Sequence, residues 1–278
     1  MTMANDLRIA TFNIHKGFSA LNRRMTVHEL RQQLRKLDAD IVFLQEVQGE
    51  HHGHAARLAH WPELAQAEFL AEDVWPQIAY GHNVSYPRGH HGNAILARLP
   101  MTDIHNQDVT HWRFERRGLL HCTVRLPATP GASGGEAVHC VCVHLSLFGH
   151  SRQRQMNALA EHIETAIAAD APLIVAGDFN DWRNRADAIL AQRLGLREVF
   201  AAVTQDTDRD RGQQRSTPPV RSFPAGLPLL RLDRIYVRGF SVKAATLHFA
   251  APGIHLSDHA ALSAELVRDA PAGTRDAP

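Results

Sequence analysis

The sequence predicts a single α/β sandwich. Strand-like segments outnumber helical ones, and the two kinds alternate irregularly along the chain. No internal repeat and no break in composition divides it, so one domain is expected over residues 1–268, followed by a disordered tail at 269–278. With 278 residues, 44% of them hydrophobic and 21% charged, the chain has apolar material enough for one large core.

"LRIATFNI" is β-rich and alternating, and reads as a first strand ending at Asn13. "TVHELRQQLRKL" then spaces Val27, Leu30, Leu34 and Leu37 for one helical face, with Thr26 and Glu29 in the positions of a capping box. "DIVFLQEV" is a second buried strand carrying Glu46 at its end. Residues 51–76 read as mixed helix and loop, and "GHHG" (89–92) as a loop. "QIAYG", "NAILAR", "LLHCTVRL" and "AVHCVCVHLSL" are strands, and 128–136 has the composition of an exposed hairpin tip. From Arg152 to Ala169, Met156, Leu159, Ala160, Ile163 and Ile167 trace a helical face. A buried strand at 174–178 and a helix near 185–194 follow. Residues 204–221 are polar and turn-rich, a loop, and "LDRIYVRG", "VKAATLHF" and "AALSAELV" complete the strands.

The formal net charge of +1 neither demands a polyanionic partner nor excludes one. Three cysteines, an odd number with two of them only two apart on one strand, fit a reducing compartment. The N-terminus lacks an apolar run of signal-peptide length and no segment reaches the ~18 apolar residues of a membrane span, so a cytoplasmic location is expected. Nothing in the sequence sets an oligomeric state.

Chemistry gathers at the strand ends. Asn13 closes the first strand, Glu46 the second, and "VHLSL" carries His144. "IVAGDFND" ends in Asp178 and Asn180, which strand alternation would point the same way. Asp233 interrupts an apolar run, and Asp258 and His259 precede the last strand. Each alone has an ordinary explanation as a turn acceptor or a satisfied core residue. Together they put four acids into apolar surroundings, which is costly unless they are paired or bind a metal. An oxygen-rich set without a spare thiolate suits Mg²⁺, with Mn²⁺ as a substitute, and metal-assisted hydrolysis of a phosphate ester.

"TFNIHKG", "DIVFLQEV", "GNAILAR", "VHLSL", "VAGDFNDW", "LDRIYV" and "LSDHAAL", in that order, resemble the motifs of the endonuclease/exonuclease/phosphatase family. The resemblance runs from about residue 7 to 268; "NIHKGF", "NRR", "GHHGNA" and "LRLDRIYV" are similar to its bacterial YbhP-like members. It implies a four-layer αββα sandwich of two mixed sheets. It also implies Glu46 as principal metal ligand with Asn13 and Asp258 nearby, and Asp178 as the residue that aligns or deprotonates the attacking water, helped by Asn180. His259 would stand at the scissile phosphate oriented by Asp233, with His144 on the opposite side. Where some nuclease members supply an acidic partner for that second histidine, this chain has His90, His91 and Asn93, so a neutral group is expected to hold His144.

Arg117 and Arg152 are the favoured phosphate contacts among the arginines of "HWRFERRG" and "HSRQRQ", with Asn93 beside them. "FPAGLPLLRLD" is expected to pack into the core, with a wall for an apolar substrate group as the alternative. The substrate class implied is a phosphodiester, nucleic acid before a lipid or other small phosphodiester. A non-catalytic relic of the fold is disfavoured because no metal ligand or histidine is missing.

Overall fold

The run from Ala137 to His144 sends its side chains two ways: Cys140 and Cys142 into one apolar cluster, Val141 and Val143 into another. The computed structural model, which describes residues 6–127, 135–203, 220–250 and 256–269, shows the same division on neighbouring strands. Period-two alternation on strands buried on both faces is what a sheet between two apolar layers requires.

Among the described residues there are two six-stranded sheets. The first holds β1 (Asp6–Asn13), β2 (Ile41–His51), β3 (Gln77–Tyr86), β4 (Gly89–Ala97), β11 (Phe240–His248) and β12 (Ala261–Arg268), in the order β11-β12-β1-β2-β4-β3. The second holds β5 (Met101–Asp108), β6 (Gly118–Arg125), β7 (Ala137–His144), β8 (Leu173–Asp178), β9 (Arg197–Glu198) and β10 (Asp233–Arg238), in the order β5-β6-β7-β8-β10-β9. Both are mixed, with β1 parallel to β2 and β7 parallel to β8 while their other neighbours run antiparallel. Ile9, Phe43 and Ile95 meet Leu120, Cys140 and Ile174 between the sheets.

Helices cover both outer faces. α1 (Val27–Leu37) turns Val27, Leu30 and Leu34 onto the first sheet, where α3 (Gln66–Ala71) adds Leu70; α2 (His52–Ala55) is a single turn after β2. Leu30 and Leu34 are wholly buried, each contributing roughly 1.5–3 kcal/mol of apolar burial. α4 (Gly149–Ala166) lays Met156, Leu159 and Ile163 on the second sheet, joined by Leu190 from a π-helical stretch, Ala188–Arg193. The result is the expected αββα sandwich.

Several local expectations need correction. Thr26 is the residue before α1, but its hydroxyl donates to the Leu256 carbonyl (2.6 Å) rather than capping the helix, and Glu29 pairs with Arg24. The buried hydroxyl donates to a long-range carbonyl and accepts from no N–H of the helix's first turn. "GHHG" is the start of β4, pairing with β2 and β3. β5 has no alternating apolar pattern to announce it, being mostly exposed at the sheet edge. α4 starts and ends three residues before the expected range. In "FPAGLPLLRLD", Leu227 and Leu229 are exposed rather than in the core. The expected tip at 128–136 and loop at 204–221 lie almost wholly outside the described residues; of the expected tail only Asp269 lies within them, accepting a hydrogen bond from Ser241 (2.6 Å).

A row of histidines lies on the helix-covered side of the second sheet. His121 Nε2 is 3.1 Å from His139 Nδ1, and its Nδ1 is 3.0 Å from His162 Nε2 on α4.

Candidate active site

The layer between the sheets turns polar toward one end. Ile9 and Phe43 give way to Thr11 and Gln45, whose side chains bond each other while the Gln45 amide reaches Cys142 Sγ at 3.2 Å. One pleat further on, the same face of the strands carries Asn13, His144 and Asp178. Register does the positioning: His144 on β7 stands opposite Asp178 on β8, and Asp178 stands opposite Asp233 on β10. Three functional side chains thus share one row across three hydrogen-bonded strands.

Asp178 is the hub. Its Oδ2 accepts from Asn13 Nδ2 (3.0 Å) and lies 3.6 Å from His144 Nε2 and 3.7 Å from His259 Nε2. Its Oδ1 accepts from the Asn180 backbone N–H (2.9 Å). Alternation would point Asn180 along with Asp178; instead β8 ends at Asp178, Asn180 takes a left-handed conformation (φ 49°), and its amide donates to the Leu145 carbonyl (2.9 Å). Asn180 therefore ties the ends of β7 and β8 together. Just before the hub, Gly177 sits at φ 147°, where a Cβ would come within 2.0 Å of the Val143 carbonyl oxygen. Burial pushes the Asp178 carboxyl up to about 6, with His259 opposing and Asp233 adding to the rise.

His259 Nδ1 donates to Asp233 Oδ2 at 2.8 Å, leaving Nε2 to face Asp178. Burial would lower the His259 pKa, but the Asp233 and Asp178 carboxylates raise it to about 10, so the ring is an imidazolium. Ser222 donates to the same Asp233 oxygen (2.5 Å), and Phe223 packs on the His259 ring (4.9 Å between centroids). His144 differs. Burial and the nearby Arg117 hold its pKa well below the usual range, against the pull of Glu46, so it is neutral. Asn93 does not hold it: the Asn93 amide donates to the carbonyls of Gly118 (3.1 Å) and Cys142 (3.5 Å).

Glu46 sits at a bulge in β2 with φ 54°. Despite burial, the Lys16 ammonium, with His15 beside it, keeps its carboxyl well below the normal range. Lys16 Nζ donates to Glu46 Oε2 at 2.6 Å. His15 Nδ1 lies 3.4 Å from Asp258 Oδ1 and 3.9 Å from Glu46 Oε2, so one ring stands between two of the expected ligands. Asn13 Oδ1 accepts from the His15 backbone N–H (3.1 Å), and Ser257 Oγ donates to the Asn13 carbonyl (2.7 Å). His15 and Lys16 are functional neighbours that the sequence reading did not single out. They follow Asn13 after Ile14, at φ 45° and 57°, and non-glycine residues held there cost of order 1–3 kcal/mol each. Nothing in the residue types announces that conformation.

Arg117 belongs to the site's surroundings, since its charge acts on His144 and His91; its guanidinium bonds the Leu145 carbonyl (3.3 Å) and Glu115 (3.0 Å). Arg152 is buried, donates to the carbonyls of Ser146 (2.9 Å) and Leu147 (3.0 Å), and lies over the Trp182 ring. It braces the loop after β7.

Two donor groups could hold a metal. Asp178, Asp233 and His259 each offer an atom within 4.8 Å of the others. Glu46, Asp258 and Asn13 Oδ1 form the second, all oxygen donors gathered around His15. Among the described residues the buried Asp233 Oδ1 has no hydrogen-bond partner, but Asp233 Oδ2 is committed to His259 and Ser222. The oxygen set around an ionised Glu46 therefore fits a hard divalent cation better.

The endonuclease/exonuclease/phosphatase family model matches residues 10–259, nearly the whole chain. The chain belongs to that family. Members of the endonuclease/exonuclease/phosphatase family are hydrolases of phosphoester bonds, and this protein is one of them. It is 44% identical to the uncharacterized protein YbhP of Escherichia coli strain K12 over 265 residues, 95% of this chain and 98% of that one. Among solved structures it resembles an endonuclease/exonuclease/phosphatase from Beutenbergia cavernae (TM-score 0.70, 20% identity, 95% of this chain and 72% of that one). It also resembles the mannosyl-6-phosphatase Bt3783 of Bacteroides thetaiotaomicron (TM-score 0.66, 18% identity, 94% and 99%). The likenesses to solved structures reach across the fold.

Proposed function

We propose that the protein is a Mg²⁺- or Mn²⁺-dependent phosphodiesterase, with nucleic acid as its leading substrate class. The observation that carries the reaction is the convergence of two imidazole Nε2 atoms on Asp178 Oδ2, at 3.6 and 3.7 Å. One ring is cationic and one neutral, which equips opposite sides of a phosphate for different tasks. Asp178, near its proton-exchange range, takes the proton of the attacking water as its oxygen bonds to phosphorus. The His259 imidazolium gives its Nε2 proton to the leaving oxygen as the P–O bond breaks. Asp233 holds the tautomer through Nδ1, and Asn13 and Asn180 fix the two oxygens of Asp178. Glu46, Asp258 and Asn13 would hold the cation, which when bound supplies Lewis-acid polarisation of the phosphate.

Nucleic acid is favoured by Lys16 and Arg117 close to the cluster and by Arg116, which lines a polar pocket of about 340 Å³ with His82, Asn83, Asn106 and Arg117. The second reading, a lipid or small apolar phosphodiester, draws on the exposed Trp112, Phe114 and Phe148, which line a neighbouring pocket of about 390 Å³. Three buried free cysteines support a cytoplasmic location, and no described helix is long and apolar enough to cross a membrane. The deciding experiment is a substrate panel with Mg²⁺: plasmid, single-stranded DNA, RNA, abasic duplex, sphingomyelin and inositol phosphates. Cleavage of nucleic acid is expected, without preference for abasic sites. Hydrolysis confined to the lipid or the soluble esters overturns the substrate class, and no hydrolysis of any of them overturns the phosphodiesterase reading.

A further inference from the structure

Lys16 has no assigned part in the chemistry above, yet it is built into the site with unusual care. Its ammonium meets Glu46 at 2.6 Å, closer than any other charged group approaches that carboxylate among the described residues. Its backbone is pinned in the left-handed region, and Gln66 Nε2 donates to its carbonyl (2.6 Å) while Gln66 Oε1 accepts from the Gln48 N–H (2.8 Å). The next residue, Gly17, has φ 80°, and Gln66 Nε2 occupies the space a Cβ would need, at 2.4 Å. A loop held this way fixes where the side chain starts. The Lys16 side chain is 31% exposed and Glu46 19%, so the pair sits at the mouth of the cluster rather than deep within it.

We infer that Lys16 is an internal counter-cation of the metal carboxylate: it holds Glu46 until a divalent cation takes that oxygen, and is then handed to the substrate phosphate. This rests on the reading of Glu46 as a metal ligand. A monovalent ammonium and a divalent ion cannot share Oε2 at contact distance, because like charges so close repel strongly in a partly buried site. Displaced from Glu46, a lysine is a mobile point charge on a flexible stem, with three donors free for phosphate oxygens. His15 is suited to neither role, since its ring is wedged between Glu46 and Asp258. Metal loading would thereby arm a second cation for the substrate, making phosphate and metal binding cooperative through a residue that touches both in turn.

The test is Mn²⁺ binding at fixed pH, by calorimetry or by loss of the free-ion electron paramagnetic resonance signal, on wild type, Lys16→Met, Lys16→Gln and Lys16→Arg. Inorganic phosphate binding is then measured on the Mn²⁺-loaded proteins. Without phosphate, Lys16→Met and Lys16→Gln should bind Mn²⁺ at least ~10-fold more tightly than wild type, and Lys16→Arg should not. With Mn²⁺ present, the two neutral variants should bind phosphate at least ~5-fold more weakly, with Lys16→Arg near wild type. Equal Mn²⁺ affinities for wild type and both neutral variants, or phosphate affinity unchanged by them, overturns the inference and leaves the metal reading standing. If wild type and Glu46→Gln take up Mn²⁺ equally, the metal reading itself falls, and the inference with it.

Discussion

His259 gives its Nδ1 proton to a hydrogen bond with Asp233 Oδ2, 2.8 Å long and buried, and Asp233 itself is held by Ser222. The bond decides which nitrogen faces the phosphate and keeps it protonated. In Asp233→Asn, burial of the His259 ring is no longer offset by that carboxylate, and its pKa should fall from about 10 toward or below the ordinary histidine value. The alkaline limb of the kcat profile should move down with it, and kcat at neutral pH should drop ~10²-fold, the lower part of the general-acid range. Histidine titration by NMR checks the first, steady-state kinetics the second; an unmoved alkaline limb contradicts the role.

Asp178 must be ionised to accept a proton. Its pKa, raised to about 6, predicts that the rate falls as pH drops through that value, the acid side of a bell whose limbs belong to the coupled Asp178–His259 pair. Asp178→Asn and His259→Ala should each cost ~10²-fold or more in kcat with much smaller changes in KM. A variant losing affinity while keeping kcat would show a positioning residue instead.

Glu46→Gln should weaken Mg²⁺ binding and cut turnover at limiting Mg²⁺ while the far-ultraviolet circular dichroism stays that of wild type. EDTA should abolish activity and Mg²⁺ restore it. Full turnover in the chelator is the outcome that sinks the metal assignment.

Substrate class is legible in salt. An enzyme gripping several phosphates releases several counterions, so nucleic-acid binding should weaken at least ~10-fold between about 50 and 200 mM salt. Arg116→Ala should lower both affinity and the steepness of that dependence. A shallow dependence, with Trp112→Ala or Phe148→Ala costing more than Arg116→Ala, would favour the lipid or small-ester reading.

The histidine row on the second sheet makes a different prediction. Burial, with His162 and His139 beside it, lowers the His121 pKa from 6.5 to about 4, and Asp103 only partly opposes. The folded state thus favours the neutral ring, so this stability is present above about 6.5 and is lost as pH falls through about 4. His121→Leu should flatten the loss of thermal stability across that window. A melting temperature falling equally in both proteins would exclude the histidine.

Most of the strands, the outer helices and the cluster itself are legible in the sequence because apolar periodicity and misplaced acids are local signals; the exposed edge strand β5 carries no such signal. Glu46, Asp178 and Asp233 betray themselves by interrupting apolar runs. What is not legible depends on contacts far along the chain or on backbone conformation. Thr26 bonds Leu256, 230 positions away. Asn180 breaks the alternation that Asp178 ends, and His15 and Lys16 take left-handed φ values that no pattern of side chains foretells. Arg152 looks like any surface arginine until its carbonyl partners are seen.

The row of His144, Asp178 and Asp233 has a consequence for how such a protein changes its trade. Their spacing is a lattice constant of the second sheet, set by main-chain hydrogen bonding that holds neighbouring strands about 4.7–4.9 Å apart. The exposed Trp112 and Phe114, the basic Arg116 and the apolar Leu227 sit on connections between strands. Insertion, deletion or replacement of those connections rewrites what is admitted without disturbing the ruler that cuts. Transplanting the 109–117 connection from a relative of known preference should therefore transfer selectivity while the pH profile stays with the recipient.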